Sequence, residues 1–372
     1  MSVDLQAVHT RSSWNPETVS LGIFSNLRFL AALGLLLVVS IQAGWSFVGF
    51  KPMTSDVLGY RIWSHSLIER AGGWHLPGYP LLIAIARLAT LGVVPDLPLM
   101  TAVSFAAWLI GLVLIGRILS ETAPAMIEIG VLSYAFFPLV GITHVAHPLA
   151  DTLAQTLFLG AFYATLKKRQ WLFVSLTAAG LIVHMVLWPF LLLLSILWLV
   201  EKRMTIWHLL ISGVPLALYY GTIAIASSDW LWFFRQHYDV NFKSSVTFPL
   251  FNAIIGPLAT GSIAGLMKVV LVLAVMFVAI WLTILALKRR DWATLPIVLP
   301  ILLFAATVNA HEGFIVVRYG RFLVIPVCLW MAGKPGWRAA VSSRWYVWAT
   351  AVILVLSQWV WAAYTAKYFV KS

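Results

Sequence analysis

Apolar runs close to the ~20 residues that carry a helix across a bilayer recur from one end of this chain to the other. In hydrocarbon a backbone must satisfy its own hydrogen bonds, so such runs are expected to fold as helices. Composition agrees. Of 372 residues, 61% are hydrophobic and only 10% are charged, where a soluble domain carries about a quarter. The chain reads as an all-α polytopic membrane protein, one membrane-embedded domain over residues 1–372 with nothing left for a sizeable soluble one. Residues 1–26 show no small-residue cleavage site, so the first span is expected to stay as an anchor. The single cysteine, Cys328, excludes an intramolecular disulfide and a cysteine-based zinc site.

A net charge of +12 raises the question of nucleic acid. The basic residues instead fall in short clusters between apolar segments, as cytoplasmic loops require, and no nucleic-acid partner is expected. The clusters are Arg117, Lys167-Lys168-Arg169, Lys202-Arg203, Lys288-Arg289-Arg290, and Lys334 with Arg338 and Arg344. Two apolar segments lie between successive clusters, so all of them can share the cytoplasmic side, with the N-terminus inside. About eleven spans result: 27–48, 99–119, 123–143, 152–168, 171–186, 188–201, 204–226, 263–286, 292–309, 322–333 and 345–366. The fifth, sixth and tenth are short, which a membrane tolerates where a helix tilts, half-crosses or faces a cavity. Segment 78–94 would spoil the parity if it crossed. It is short and contains Arg87, so an in-plane or re-entrant helix is expected within the first outer loop, at about 50–98. A later outer loop covers about 227–262.

This topology gathers the chemistry on the extracytoplasmic side. Asp56 follows the first span in a chain with only thirteen acidic residues. Residues 55–70 have helical spacing, with Ser55 as a candidate N-cap and Asp56 in the first turn, where a carboxylate also has a purely structural role. His144, His147 and Asp151 close one span and open the next. Pro148 and Asp151 make an ordinary helix start, and a His/Asp metal site is the other reading. Arg318-Tyr319-Gly320-Arg321 sets two guanidiniums on the outer side, against the positive-inside trend. Guanidinium forks suit phosphate oxygens, either of an anionic lipid substrate or of ordinary headgroups. His184 lies inside a span, as a functional group or as a neutral histidine bonded to a neighbouring helix. The loop 227–261 interleaves aromatic and charged residues, suited equally to sugar stacking and to lying on the membrane surface.

Four segments, in order, resemble the GT-C superfamily of polyprenyl-phosphate-sugar-dependent glycosyltransferases. The protein O-mannosyltransferase, aminoarabinose transferase and GPI mannosyltransferase branches look nearest. The segments are Asp56 with Tyr60 before Leu76-Pro77-Gly78-Tyr79-Pro80-Leu81-Leu82; Pro138 with Asp151-Thr152-Leu153; the basic turn at 166–169 with Trp171-Leu172 and Gly180-Leu181; and Arg318-Tyr319 before Pro326. The likeness covers roughly residues 27–333. Two departures stand out: the first acid is single where several branches carry a pair, and no glutamine- or lysine-rich donor motif is present.

The resemblance implies a GT-C-like bundle with a helical first outer loop. It also implies transfer of a hexosyl or pentosyl group from a polyprenyl-phosphate-linked donor to a hydroxyl of a lipid, glycan or protein acceptor. Asp56 would be the general base, in a single inverting displacement. Arg318, with Arg321 or His311, would neutralise the departing lipid phosphate. Asp151 would orient sugar or acceptor, or share a divalent ion (Mg or Mn) with Asp56. Tyr60, His75, His147 and Tyr319 complete the expected substrate-binding set. The alternative is a transporter or flippase of lipid-linked or polar substrates, which would call for internal repeats and symmetrically interrupted helices; no such repetition is evident.

Overall fold

The computed structural model describes residues 55–65, 76–137, 150–231, 263–307 and 313–336, with isolated positions at 349–350, 352–353 and 356. Among the described residues every regular element is a helix. In chain order they are α1 (Ser55–His65), α2 (Gly78–Ala89), α3 (Asp96–Thr122), α4 (Ile127–Ala135), α5 (Ala150–Leu166), α6 (Gln170–Val183), α7 (Trp188–Val200), α8 (Ile206–Ser227), α9 (Ile263–Arg289), α10 (Leu295–Thr307), α11 (Gly313–Gly320) and α12 (Val324–Ala332). Three of them, α3, α8 and α9, are long and apolar enough to cross a membrane. Leu109, Ile110 and Val113 of α3 and Leu273, Phe277 and Ile280 of α9 face outward. Apolar residues all round a helix mark a non-aqueous environment. The expected span 27–48 and most of 345–366 lie outside the described residues.

The segments expected to be short are short. Helix α6, at fourteen residues, rises about 21 Å against a hydrocarbon core of about 30 Å. It stops at His184, whose backbone is extended (φ −155, ψ 124) and whose Nδ1 accepts from the Val186 amide at 3.2 Å. A 3-10 turn, Met185–Leu187, then hands over to α7, with Pro189 in its first turn. The Trp188 indole donates to the Leu181 carbonyl at 2.9 Å and pins the corner. His184 thus caps a break between two short helices.

Helix α5 is the hub. Nearly its whole length is buried, although it carries Asp151, Thr152, Gln155, Thr156 and Thr165. It packs against α3, α6 and α7. Gly111 lets α3 approach closely, since a Cβ there would sit 3.1 Å from Thr156 Oγ1. That hydroxyl donates to the Ala107 carbonyl at 2.7 Å, across the helix pair. Phe158, Phe190 and Phe322 fill the space below, with ring centroids 4.6–5.4 Å apart.

Basic helix ends collect at one end of the bundle. Lys167 reaches Glu121 at the end of α3, and the Gln170 side chain donates to the Arg203 carbonyl. Trp281 meets Trp330 edge-on, which sets the second half of α9, with Lys288 and Arg289, alongside α12. At this end Lys168, Lys202 and Arg290 each adopt a left-handed backbone (φ 54, 55 and 57). The amide of the following residue in each case donates five residues back, to Ala164, Trp198 and Ala286. These are Schellman closures with a basic residue where glycine is the usual choice.

At the opposite end α2 and α3 form an antiparallel hairpin. Tyr79 Oη lies 3.1 Å from Ser104 Oγ, and Arg87 reaches Asp96. Helix α2, at twelve residues, rises about 18 Å, too short to span. Its first residue sits directly on the end of α6: a Cβ on Gly78 would lie 2.7 Å from Val183 Cγ2 and 2.8 Å from the Ile182 carbonyl oxygen.

Candidate functional site

Four helix termini meet in one layer of the bundle, the start of α2, the start of α5, the end of α6 and the end of α11, and the middle of the short α1 packs against α2 there. Ser104 lies eight residues into α3, so this layer sits about 12 Å along the helix from Asp96. Broken backbone at such depth is stable where it is enclosed by protein or borders a hollow.

Asp151 organises the layer from the first turn of α5. Tyr319 Oη donates to its Oδ1 at 3.0 Å, and Arg318 Nη1 donates to its Oδ2 at 3.2 Å. His184 Nε2 stands 3.9 Å from Oδ1. Gln155, one turn along α5, donates its amide to the Arg318 carbonyl at 3.1 Å and fixes the end of α11. The Asp151 side chain is only 5% exposed, whereas Arg318 and His184 are 25% and 21% exposed. The carboxylate is thus sealed in, and Arg318 and His184 form the open side. Tyr319 is fully buried among Phe190, Phe304 and Phe322, with His184 beyond its edge. Tyr60 of α1 meets Tyr79 edge-on at 4.9 Å, and Tyr79 follows Gly78, which sits on the end of α6. The site therefore joins Tyr60, Asp151, Arg318 and Tyr319, which the sequence set apart as candidates.

Arg321 takes another direction. It is 1% exposed, opening the 3-10 turn Arg321–Leu323. Its Nη2 donates to Tyr134 Oη at 2.8 Å, and its guanidinium lies 4.2 Å from the centre of the same ring. Among the described residues its Nε and Nη1 have no hydrogen-bond partner. The expectation that Asp151, Arg318 and Arg321 stand in outer loops is corrected: all three are in helices or helical turns inside the bundle. Asp151 and Arg318 compensate each other there, and Arg321 is held by an aromatic ring.

Asp56 lies in the first turn of α1, one turn before Tyr60; its side chain is outside the description. His75, His147 and His311 lie outside the described residues. The sequence passed over Gln155, Tyr134 and Ser104, and gave Tyr79 no role beyond its place in the Leu76–Leu82 segment. Gln155 had a signal, since it falls on the Asp151 face at helical spacing, whereas an aromatic or a serine in an apolar run carries none.

Among the described residues no group of three or more His, Cys, Asp or Glu side chains could hold a metal ion. The surroundings of Asp151 do not fit a divalent cation. Both carboxylate oxygens already accept hydrogen bonds, one of them from a guanidinium that would repel the ion.

Beside Gly320 opens an apolar hollow of about 310 Å³ between α9 and the pair α4 and α12, lined by Ile129, Phe137, Val275, Leu323 and Val327. It is continuous in sequence with the Arg318–Tyr319 end of α11 and is the right chemistry for a hydrocarbon chain. No protein-family model, curated protein or solved structure matches this chain.

Proposed function

We propose that this chain is an integral-membrane glycosyltransferase of GT-C type, building cell-envelope or related glycans at the extracytoplasmic face from a polyprenyl-phosphate-linked sugar. What supports the reading most is the layer that the Asp151-held Arg318 shares with the Tyr79 end of α2, against which Tyr60, one turn from Asp56, is packed. In the proposed topology the basic end of the bundle is cytoplasmic, about eleven helices cross, and α2 is re-entrant. Arg87 then carries no isolated charge into hydrocarbon, because Asp96 neutralises it.

The chemistry balances as one displacement. The acceptor hydroxyl gives its proton to the Asp56 carboxylate while its oxygen bonds to the anomeric carbon. The bond from that carbon to the phosphate oxygen breaks, and its electron pair leaves with the lipid phosphate. Attack and departure occur on opposite faces, so configuration inverts. The Arg318 guanidinium offsets the charge gathering on the phosphate, a preorganised electrostatic contribution worth roughly 10²–10³-fold in rate. Asp151 holds Arg318 at its post rather than touching sugar, because its own oxygens are engaged. The polyprenyl chain lies along the hollow beside Gly320.

The test is transfer from synthetic polyprenyl-phosphate-linked hexoses and pentoses by the protein in liposomes. Asp56→Asn is expected to abolish product while leaving expression and insertion intact. Arg318→Ala is expected to raise the KM for donor more than that for acceptor; equal losses for both would remove the leaving-group role. A transporter or flippase is the second reading, favoured by the helix break at His184. It predicts translocation of the lipid-linked sugar without a new glycosidic bond, and survival of that movement in Asp56→Asn.

A further inference from the structure

Helix α1 is docked by its last turn. Arg61, Ser64 and His65 occupy one face at helical spacing and all meet the α2–α3 hairpin. Arg61 Nε donates to Asp96 Oδ2 at 3.0 Å, and His65 Nε2 lies 2.8 Å from the same oxygen. The other oxygen, Oδ1, accepts from Arg87 Nε at 3.0 Å and Nη2 at 2.8 Å. Arg87 then turns back to α1, donating to the Ser64 carbonyl at 2.9 Å and to its hydroxyl at 2.6 Å. One carboxylate thus gathers two guanidiniums and an imidazole from two other helices, and it is itself only 12% exposed. Without it, the cations would face one another across the joint between α1 and the hairpin with no opposite charge among the side chains that hold them. The Tyr60–Tyr79 edge contact continues this seam towards the Asp151 layer.

We infer that Asp96 is a positioning residue: it holds the end of α1 so that the first turn of the same helix, with Asp56, is fixed beside the Arg318 layer. The positioning role rests on the reading of Asp56 as base, whereas the anchoring of α1 stands on geometry alone. Asp96 touches no reacting atom. It sets the angle of an eleven-residue helix from its far end, about 13 Å from Asp56 along the axis. A swing of that lever displaces the base by an ångström or more, enough to cost on the order of 10²-fold in rate.

The experiment combines amide hydrogen exchange with kinetics on the full chain in lipid nanodiscs, for wild type, Asp96→Ala, Asp96→Glu and the double variant Arg61→Ala/His65→Ala. The double variant leaves the Arg87–Asp96 pair of the hairpin in place, so it decides the matter should Asp96→Ala unfold. In Asp96→Ala and the double variant, exchange over residues 55–65 is expected to quicken at least about tenfold while residues 150–166 stay protected. The kcat for transfer is expected to fall at least about tenfold with donor KM within about twofold, because Arg318 is undisturbed. Asp96→Glu restores most of both. Unchanged exchange over 55–65 in the double variant overturns the anchor, even where no sugar transfer is found in the wild type. Faster exchange with undiminished kcat, in a protein that does transfer sugar, overturns the positioning role.

Discussion

Two carboxylates in this molecule have nearly the same company and opposite settings. Asp96 and Asp151 each meet a guanidinium and a histidine, at the rim and about 12 Å deeper respectively. At the rim, Arg61 and His65 are 47% and 54% exposed, and water screens what they offer. In the deeper layer Asp151 is sealed, and a charge left alone there has no solvent to fall back on. The same side-chain set therefore acts as a clasp at the rim and as a structural necessity within. Helix α2 links the two, with Gly78 and Tyr79 in the deep layer and Arg87 at the rim.

The contrast is broken most directly at its deep member. Asp151→Asn leaves the Arg318 guanidinium without its carboxylate and is expected to cost about 3–5 kcal/mol, read as an earlier thermal exposure of the buried Cys328 thiol. A loss below about 1 kcal/mol would place the Asp151–Arg318 pair among solvent-exposed ion pairs. Next comes the link between them. Gly78→Ala drives a Cβ into the Ile182 carbonyl, which is backbone and cannot turn aside. A cost of about 1–3 kcal/mol is expected, with faster exchange in both α1 and α6. Raising salt from 0.15 M to 1 M shortens the screening length from about 8 Å to about 3 Å. It is expected to quicken exchange in α1 a few-fold and to leave α5 unchanged; equal effects would erase the distinction. The smallest change is expected for Arg321→Met. Its guanidinium is buried without a carboxylate partner among the described residues, so an apolar side chain of similar length should leave stability within about 1 kcal/mol. A fall in transfer at unchanged stability would then assign Arg321 to the chemistry.

The helices were legible because hydropathy reports burial in lipid one run at a time. The long helices α3, α8 and α9 follow the apolar runs at 99–119, 204–226 and 263–286. The short helices α6 and α7 were legible too, from the spacing of basic turns at Lys167 and Lys202. Depth was not. Asp151 reads in sequence as an ordinary helix start after Pro148, and nothing local says that its helix begins inside the bundle. The partner of Arg87 lies nine residues on, beyond a turn with left-handed Leu91 and Gly92. Arg87 thus read as a charge barred from the membrane, when it was one half of a pair. Arg318 and Arg321 look equivalent three residues apart. They part because the helix ends between them, and only one faces an acid.

The left-handed Lys168, Lys202 and Arg290 have a consequence of their own. A non-glycine residue in that conformation costs about 1–2 kcal/mol, and the chain accepts this at three successive turns rather than use the residue that would close them without strain. On the proposed topology each of these side chains emerges beside anionic headgroups, where a positive charge gains about 1 kcal/mol. Conformational ease has been traded, turn by turn, for a vote on which way the polypeptide threads, so that glycine substitutions should firm up the individual corners while weakening the decision over which side faces in.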